Sequence, residues 1–376
     1  MKLHRMPLLV KSMILEELGF DERLFLSFTS KRTCSLLELS RNDLKGSIKI
    51  HINKKNVSVS VRKSSCRLAK RIPAINISSS MNNEWKFEIP YKQHYLNDSS
   101  SWTIDGSSVQ TVKDSSTIHC GLIDERVGCD TMSNSMIIFG KVQRHLRGVL
   151  NIEKCQLCEF DMTFPAGLIP HLDFNFCYDR IDFLSAFSMC MTLEDLTVLL
   201  ENIKAKRIYL RDIVLSVPGH KYHKNPELKK SSIDWLEIQN YSWVDFSELP
   251  AAKLITIREK VPLDQMKMVL TSWVAGRNRD IEIGDFEVGN VTDRNRETIF
   301  SGLKTYATQL TDAEIGSFFK STKHLPRRWY YRGVVAVDIL SDIDGLRATV
   351  FEGPIHEYTQ RIFMVVWNEE NLRKIG

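Results

Sequence analysis

No run in the 376-residue sequence reaches the roughly 18 consecutive apolar residues that cross a bilayer. The opening stretch MKLHRMPLLVKSMILEELGF is broken by Lys11, ends in Glu16-Glu17 and lacks a small-residue cleavage site, so it does not read as a secretory signal. Catalytic signatures are missing too. There is no G-x-x-x-x-G-K phosphate loop, no G-x-G-x-x-G, no G-x-S-x-G elbow and no H-E-x-x-H zinc helix. Cys155-x-x-Cys158 has no second pair, although a structural zinc site needs four ligands, and His171 and Cys177 stand at no standard spacing from it. The eight cysteines are spread along the chain, which favours free thiols over a disulfide framework. The expectation is a protein with no metal, no cofactor and no membrane span, placed in the cytoplasm or nucleus.

What is present is an ordinary globular composition, 43% hydrophobic and 26% charged, with length for two or three domains. Net charge is +5, but residues 1–71 hold 16 Lys/Arg against 6 Asp/Glu. The basic residues are scattered without interleaved aromatics, so a solvated basic face is preferred to a nucleic-acid surface. His220 and His223 sit in PGHKYHKNPELKK, which reads as a basic loop. Asp342 and Asp344 in SDIDG lack the bidentate Glu of a calcium loop and read as a hairpin turn. Trp235, Trp243, Trp273 and Trp367 fall in strand or helix patterns and are assigned to the core.

Three regimes follow one another. Residues 1–45 read as short helices. Pro7 suits a first turn, Leu8, Ile14, Leu15 and Leu18 recur at helical spacing, and Gly19 can close the helix. Asp21 is the expected N-cap of a second helix carrying Leu24, Phe25, Leu26 and Phe28, and Ser30 caps a third that begins at Lys31-Arg32. Residues 46–145 form a mixed strand region: SIKIHI and VSVSV alternate across NKKN as a hairpin, and WKFEIPY is a further strand. Within it, residues 97–118 are rich in Ser, Thr and Asp and read as an exposed loop, or as short hairpin arms around Trp102 and Val109.

Residues 146–376 alternate short strands with amphipathic helices. Strands are expected near 151, 209, 236, 255 and 282. TLEDLTVLLENI is a helix capped by Thr192, and PLDQMKMVLTSWVAG is a helix running from Pro262 to a stop at Gly276. From Tyr209 the strands step by 27, 19 and 27 residues, within the range of about 20–29 of a leucine-rich repeat, though the strict consensus is absent. A helix is expected over ETIFSGLKTYATQL, another over DAEIGSFFKS, then strands to the end. The fold class is mixed, α+β or α/β: a small helical module, a strand region, and an irregular leucine-rich-repeat-like strand–helix stack.

Three stretches carry a family resemblance. Met6-Pro7-Leu8, Ile14-Leu15, Leu18, Leu24, Leu26 and Ser30-Lys31-Arg32 resemble a nematode-type F-box. Trp273, Gly276, Asn278 and Ile281-Glu282-Ile283, within about 230–300, resemble the type 2 F-box-associated domain. Asp344, Gly345, Arg347, Ala348, Thr349, Phe363, Met364, Val366 and Trp367 resemble the tail of the same proteins. The resemblance implies a non-catalytic substrate-recognition subunit of a Skp1–cullin–F-box ubiquitin ligase. It would dock a Skp1-type adaptor, and through it a cullin, by Pro7, Leu8, Ile14, Leu15, Leu18, Leu24 and Leu26. An unknown protein target would be held by the carboxy-terminal region. The alternative is a protein-interaction scaffold whose F-box acts outside a cullin complex.

Overall fold

The computed structural model describes residues 6–39, 45–52, 56–63, 84–90, 100–104, 107–114, 117–121, 131–158, 169, 172, 174–183, 189–227, 233–289, 291–322, 335–356 and 359–375. It divides into two units, Met1–Asp182 and Phe183–Gly376.

The first unit opens with α1 (Leu8–Glu17), α2 (Phe20–Ser27) and α3 (Lys31–Leu39). Pro7 stands just before α1 as its N-cap. Gly19 neither closes α1 in a left-handed turn nor leaves the capping of α2 to Asp21. It is extended, α2 starts at Phe20, and the Glu22 carboxylate accepts the Gly19 N–H at 2.7 Å. A carboxylate one turn in reaches back and satisfies an orphan donor, which draws the helix start ahead of Asp21. Ser30 caps α3 as its residue type suggests, its Oγ accepting the Thr33 N–H at 3.1 Å.

Then follow β1 (Lys45–Ile52), β2 (Asn56–Lys63), β3 (Glu84–Pro90), β4 (Ser100–Ile104), β5 (Ser107–Asp114), β6 (Thr117–Gly121), α4 (Thr131–Val149), β7 (Asn151–Cys158), β8 (Cys177–Tyr178) and β9 (Arg180–Phe183). The β1–β2 pair is antiparallel, with Ile48 opposite Val61, Ile50 opposite Val59 and Ile52 opposite Val57, all buried. Such β-branched cross-strand pairs hold the register, because a one-residue slip would turn every one of them to the other face. β7 runs parallel to β1, setting Cys155 beside Ile48 and Leu157 beside Ile50. The strands from residue 151 on continue the first unit, β7 pairing with β1 on one side and β9 on the other, and the division between the units falls at 182/183. Within the Ser-rich segment the hairpin alternative holds: β4 and β5 pair antiparallel, with Trp102 opposite Val109 and with Ile104, Val109 and Thr111 buried.

The second unit holds β10 (Met189–Met191), α5 (Leu193–Glu201), β11 (Lys204–Leu210), β12 (Ile213–Leu215), β13 (Ile233–Ile238), β14 (Leu254–Val261), α6 (Leu263–Val274), β15 (Ile283–Val288), α7 (Asp293–Phe300), β16 (Thr305–Ala307), α8 (Asp312–Ser321), β17 (Val335–Leu340), β18 (Arg347–His356), β19 (Thr359–Val366) and α9 (Glu369–Leu372). β11, β13, β14 and β15 lie side by side in chain order, all parallel. β19 joins β15 antiparallel, and β18, β17 and β16 follow antiparallel in turn. Thr192 caps α5, accepting the Asp195 N–H at 3.0 Å. The segment 297–310 is not one helix. α7 stops at Phe300, Gly302 takes φ +82°, and Thr305–Ala307 is extended. A left-handed glycine ends the helix where the following Thr-Tyr-Ala-Thr favours strand.

Trp235, Leu254, Ile283 and Val365 form a row across four adjacent strands, and this row packs with Phe351, Phe363 and Trp367 against Ile315, Phe318 and Phe319 of α8. α8 is held at its start by a capping box, Thr311 and Glu314 each satisfying the other's backbone. Trp235, Trp243, Trp273 and Trp367 are all buried, as their sequence context suggests.

Candidate functional site

The seven residues proposed from sequence to face an adaptor do not share one environment. Pro7 is exposed, while Ile14, Leu18 and Leu26 are half-buried. Leu8 opens α1, but its side chain is outside the described residues. Leu15 and Leu24 are buried, and with Phe20, Phe28 and Leu37 they belong to the core of the first unit. Phe28 is the anchor. Its ring lies 5.3 Å from Phe87, 5.3 Å from Trp102 and 4.3 Å from His145, the last pair stacked. Ser27 meets the same imidazole at 2.9 Å, and Cys34 approaches its other nitrogen at 3.9 Å. The end of α2 is thus fastened to β3, β4 and α4, and α3 to α4.

Apolar surface on these helices comes from Val10 and Met13, which the sequence pattern passed over, and from Phe25, which it placed on the second helix. Val10 is 38% exposed, Met13 58% and Phe25 41%. Val10 and Met13 are three apart on α1, so they share a face. Single exposed apolar residues are ordinary on a protein surface, whereas neighbours that share a face form the kind of patch that protein contacts use.

The motif positions of the second unit converge in space and are occupied with one another. Gly276 adopts φ +85° just past α6, and its N–H reaches the Trp273 carbonyl at 2.9 Å. A Cβ there would stand 2.7 Å from Ile343 Cγ1. Asn278 is buried and accepts the Leu249 N–H at 2.9 Å. Asp342 N–H donates to the Val274 carbonyl at 3.0 Å, and Arg279 is paired with Asp344. Trp367 Nε1 donates to Thr349 Oγ1 at 2.7 Å, and Thr349 donates to the buried Asp338 at 2.5 Å. These residues build the scaffold. Asp342 and Asp344 lie in the turn between β17 and β18, whose end residues Leu340 and Arg347 pair directly.

An unforeseen feature is a row of charges across the parallel strands. Arg207 (β11), Glu237 (β13), Arg258 (β14), Asp285 (β15) and Arg361 (β19) alternate in sign on five neighbouring strands. Glu237 accepts from Arg207 Nη2 at 2.6 Å and from Arg258 Nε at 3.0 Å. Asp285 Oδ2 accepts from Arg361 Nη1 at 2.9 Å and lies 3.9 Å from Arg258 Nη1. Asp285 and Arg361 are buried, and among the described residues Asp285 Oδ1 and Arg361 Nε have no hydrogen-bond partner. Burial pushes the Asp285 carboxyl up to about 8; the Arg258 guanidinium pulls the other way, and Glu237 and Glu287 add to the rise. Arg207 also stacks 3.8 Å over the Trp235 ring. Burial, with Glu237 nearby, pushes the Tyr209 phenol up.

The remaining chemistry is sparse. Among the described residues no group of three or more His, Cys, Asp or Glu is placed to hold a metal ion. Cys34, Cys155, Cys177 and Cys190 are free thiols, Cys155 buried; His171 and the Cys158 side chain lie outside the described residues. His223 lies 3.6 Å from Asp245 and 3.8 Å from Glu248. Among the described residues no helix is long and apolar enough to cross a membrane. The chain is a mixed α/β protein whose second unit is built on a large mixed sheet. Compared with family models, curated proteins and solved structures, it matches none of them.

Proposed function

We propose that the protein is a non-catalytic substrate receptor of a Skp1–cullin–F-box ubiquitin ligase, docking a Skp1-type adaptor through its first three helices and a target through its second unit. The observation that carries the reading is the exposed apolar face of α1, Val10 and Met13, within the stretch that resembles an F-box. A receptor of this kind does no bond chemistry; it raises the effective concentration of its target beside a charged conjugating enzyme. The run of parallel strands β11, β13, β14 and β15 in chain order supports a leucine-rich-repeat-like target surface.

The test is affinity capture of the full chain from a cell extract, probed for the adaptor and the cullin. Val10→Asp with Met13→Asp changes the exposed face and leaves the core alone, whereas Leu15→Asp would unfold the unit it is buried in. The expected result is adaptor and cullin with the unaltered chain and neither with the double variant. Equal recovery by both chains overturns the reading.

A second reading rests on the fastening of Phe28 and Ser27 to His145. Helices so engaged with their own unit can serve as a structural cap of an interaction scaffold. Capture of the adaptor without cullin, or of neither, favours it.

A further inference from the structure

Arg207 and Arg258 are the accessible members of the charged row, with side chains 28% and 31% exposed, while Glu237 between them is 8% exposed. What approaches this face therefore meets guanidinium groups, with the carboxylate beneath. Glu237 holds both arginines at once, one on each oxygen, at 2.6 and 3.0 Å. Stacking on Trp235 fixes Arg207 further. A guanidinium carries five N–H donors in a planar fork, and Glu237 takes one from each arginine. Both forks are thus oriented before any ligand arrives, and little side-chain entropy remains to be lost on binding.

The charge count selects the ligand. Two arginines against one glutamate leave a residual charge of +1 at the exposed end of the row. The buried end does not offset it: Asp285 sits 2.9 Å from Arg361 and only 3.9 Å from Arg258, and burial favours its neutral form. One carboxylate matches +1, whereas a phosphorylated side chain, at about −1.5 to −2, would overshoot it and be repelled by Glu237. The Tyr209 hydroxyl and Gln239 lie at this end of the strands and bond each other at 3.3 Å, offering a polar rim.

We propose that the face of β11, β13 and β14 at Arg207 and Arg258 is a recognition site for an acidic side chain, Asp or Glu, carried on an extended segment of a partner protein. This assigns a chemical class to the target side of the receptor reading, and it rests on that reading only for the identity of the partner.

The test measures binding of the full chain to three fluorescent degenerate nonapeptide libraries, with the central position fixed as Glu, Gln or phosphoserine. The Glu library should bind about tenfold or more tightly than the Gln library, as a charge-assisted contact implies, and the margin should shrink as salt rises. Arg207→Gln, which keeps the Arg258–Glu237 pair, should abolish the preference. Equal binding of Glu and Gln, preference for phosphoserine, or no binding by any library overturns the proposal without requiring a variant to fold. Adaptor capture by Arg207→Gln is measured alongside and should be unchanged. Its loss in the unaltered chain would count against the ligase reading, not against this site.

Discussion

Trp367 Nε1 donates to Thr349 Oγ1, and the same hydroxyl donates to Asp338, so one threonine bridges an indole and a carboxylate that are both buried. Arg347 adds only a loose contact to Asp338, at 3.8 Å. Thr349→Val keeps the shape but leaves a donor and a charged acceptor unpaired. The expected cost is about 3 kcal/mol, against about 1 kcal/mol for Trp367→Phe, because unpaired buried polar groups cost more than a removed pair. Urea unfolding of the two variants gives the order; a smaller loss for Thr349→Val would contradict the bridge.

Asp285 sets a pH signature. Its carboxyl is raised from an ordinary 3.8 to about 8 in the fold, so the native state holds a proton that the unfolded chain releases. Its contribution is fully present below pH about 4 and is lost as pH rises through about 8, at up to about 1.4 kcal/mol per pH unit. Asp285→Asn keeps a neutral group beside Arg361, as the protonated carboxyl does, and should flatten the decline between pH 4 and 8. Denaturant midpoints across that range, for both proteins, read the slope. An unchanged slope excludes Asp285 as its source.

Gly276→Ala should destabilise the second unit by about 1–3 kcal/mol, through a left-handed backbone and a collision with Ile343. Ile343→Ala removes the atom in the way but not the backbone cost. The double variant should therefore recover part of the loss, and thermal melts of all four chains give the coupling.

In the first unit, Leu24→Ala should cost about 2–5 kcal/mol by opening a cavity in the core. Met13→Ala, at an exposed position, should stay within about 0.5 kcal/mol of the parent. Similar losses for both would mean that α1 buries the face assigned here to a partner.

What could be read from sequence divides by range. Ser30 and Thr192 announced their helices because capping is settled within one turn, and both hydroxyls do accept the expected N–H. The alternation of Ile48, Ile50 and Ile52 with Val57, Val59 and Val61 gave the first hairpin for the same reason. The Ser-rich stretch left two readings open because its serine content competed with the alternation of Trp102, Ile104 and Val109; the hairpin arms are the one that holds. Leu15 and Leu24, both buried, could not be told by spacing from the half-buried Leu18 and Leu26 in the same stretch. The charged row was out of reach altogether. Arg207 and Glu237 are 30 residues apart, and Arg361 and Asp285 76, joined only by strand order. Asn278, one of the positions that carry the family resemblance, holds the backbone of Leu249.

β19 is inserted between β15 and β18, yet it follows both in the chain. During synthesis the ribosome delivers this strand after every other strand of the second unit. Until then β15 carries an open edge, with Asp285 lacking the guanidinium that will pair with it. The parallel strands can assemble as they emerge, but the sheet cannot close until Thr359–Val366 has left the exit tunnel. A nascent chain stalled before residue 359 would offer that bare edge of β15 to an extended segment nearby.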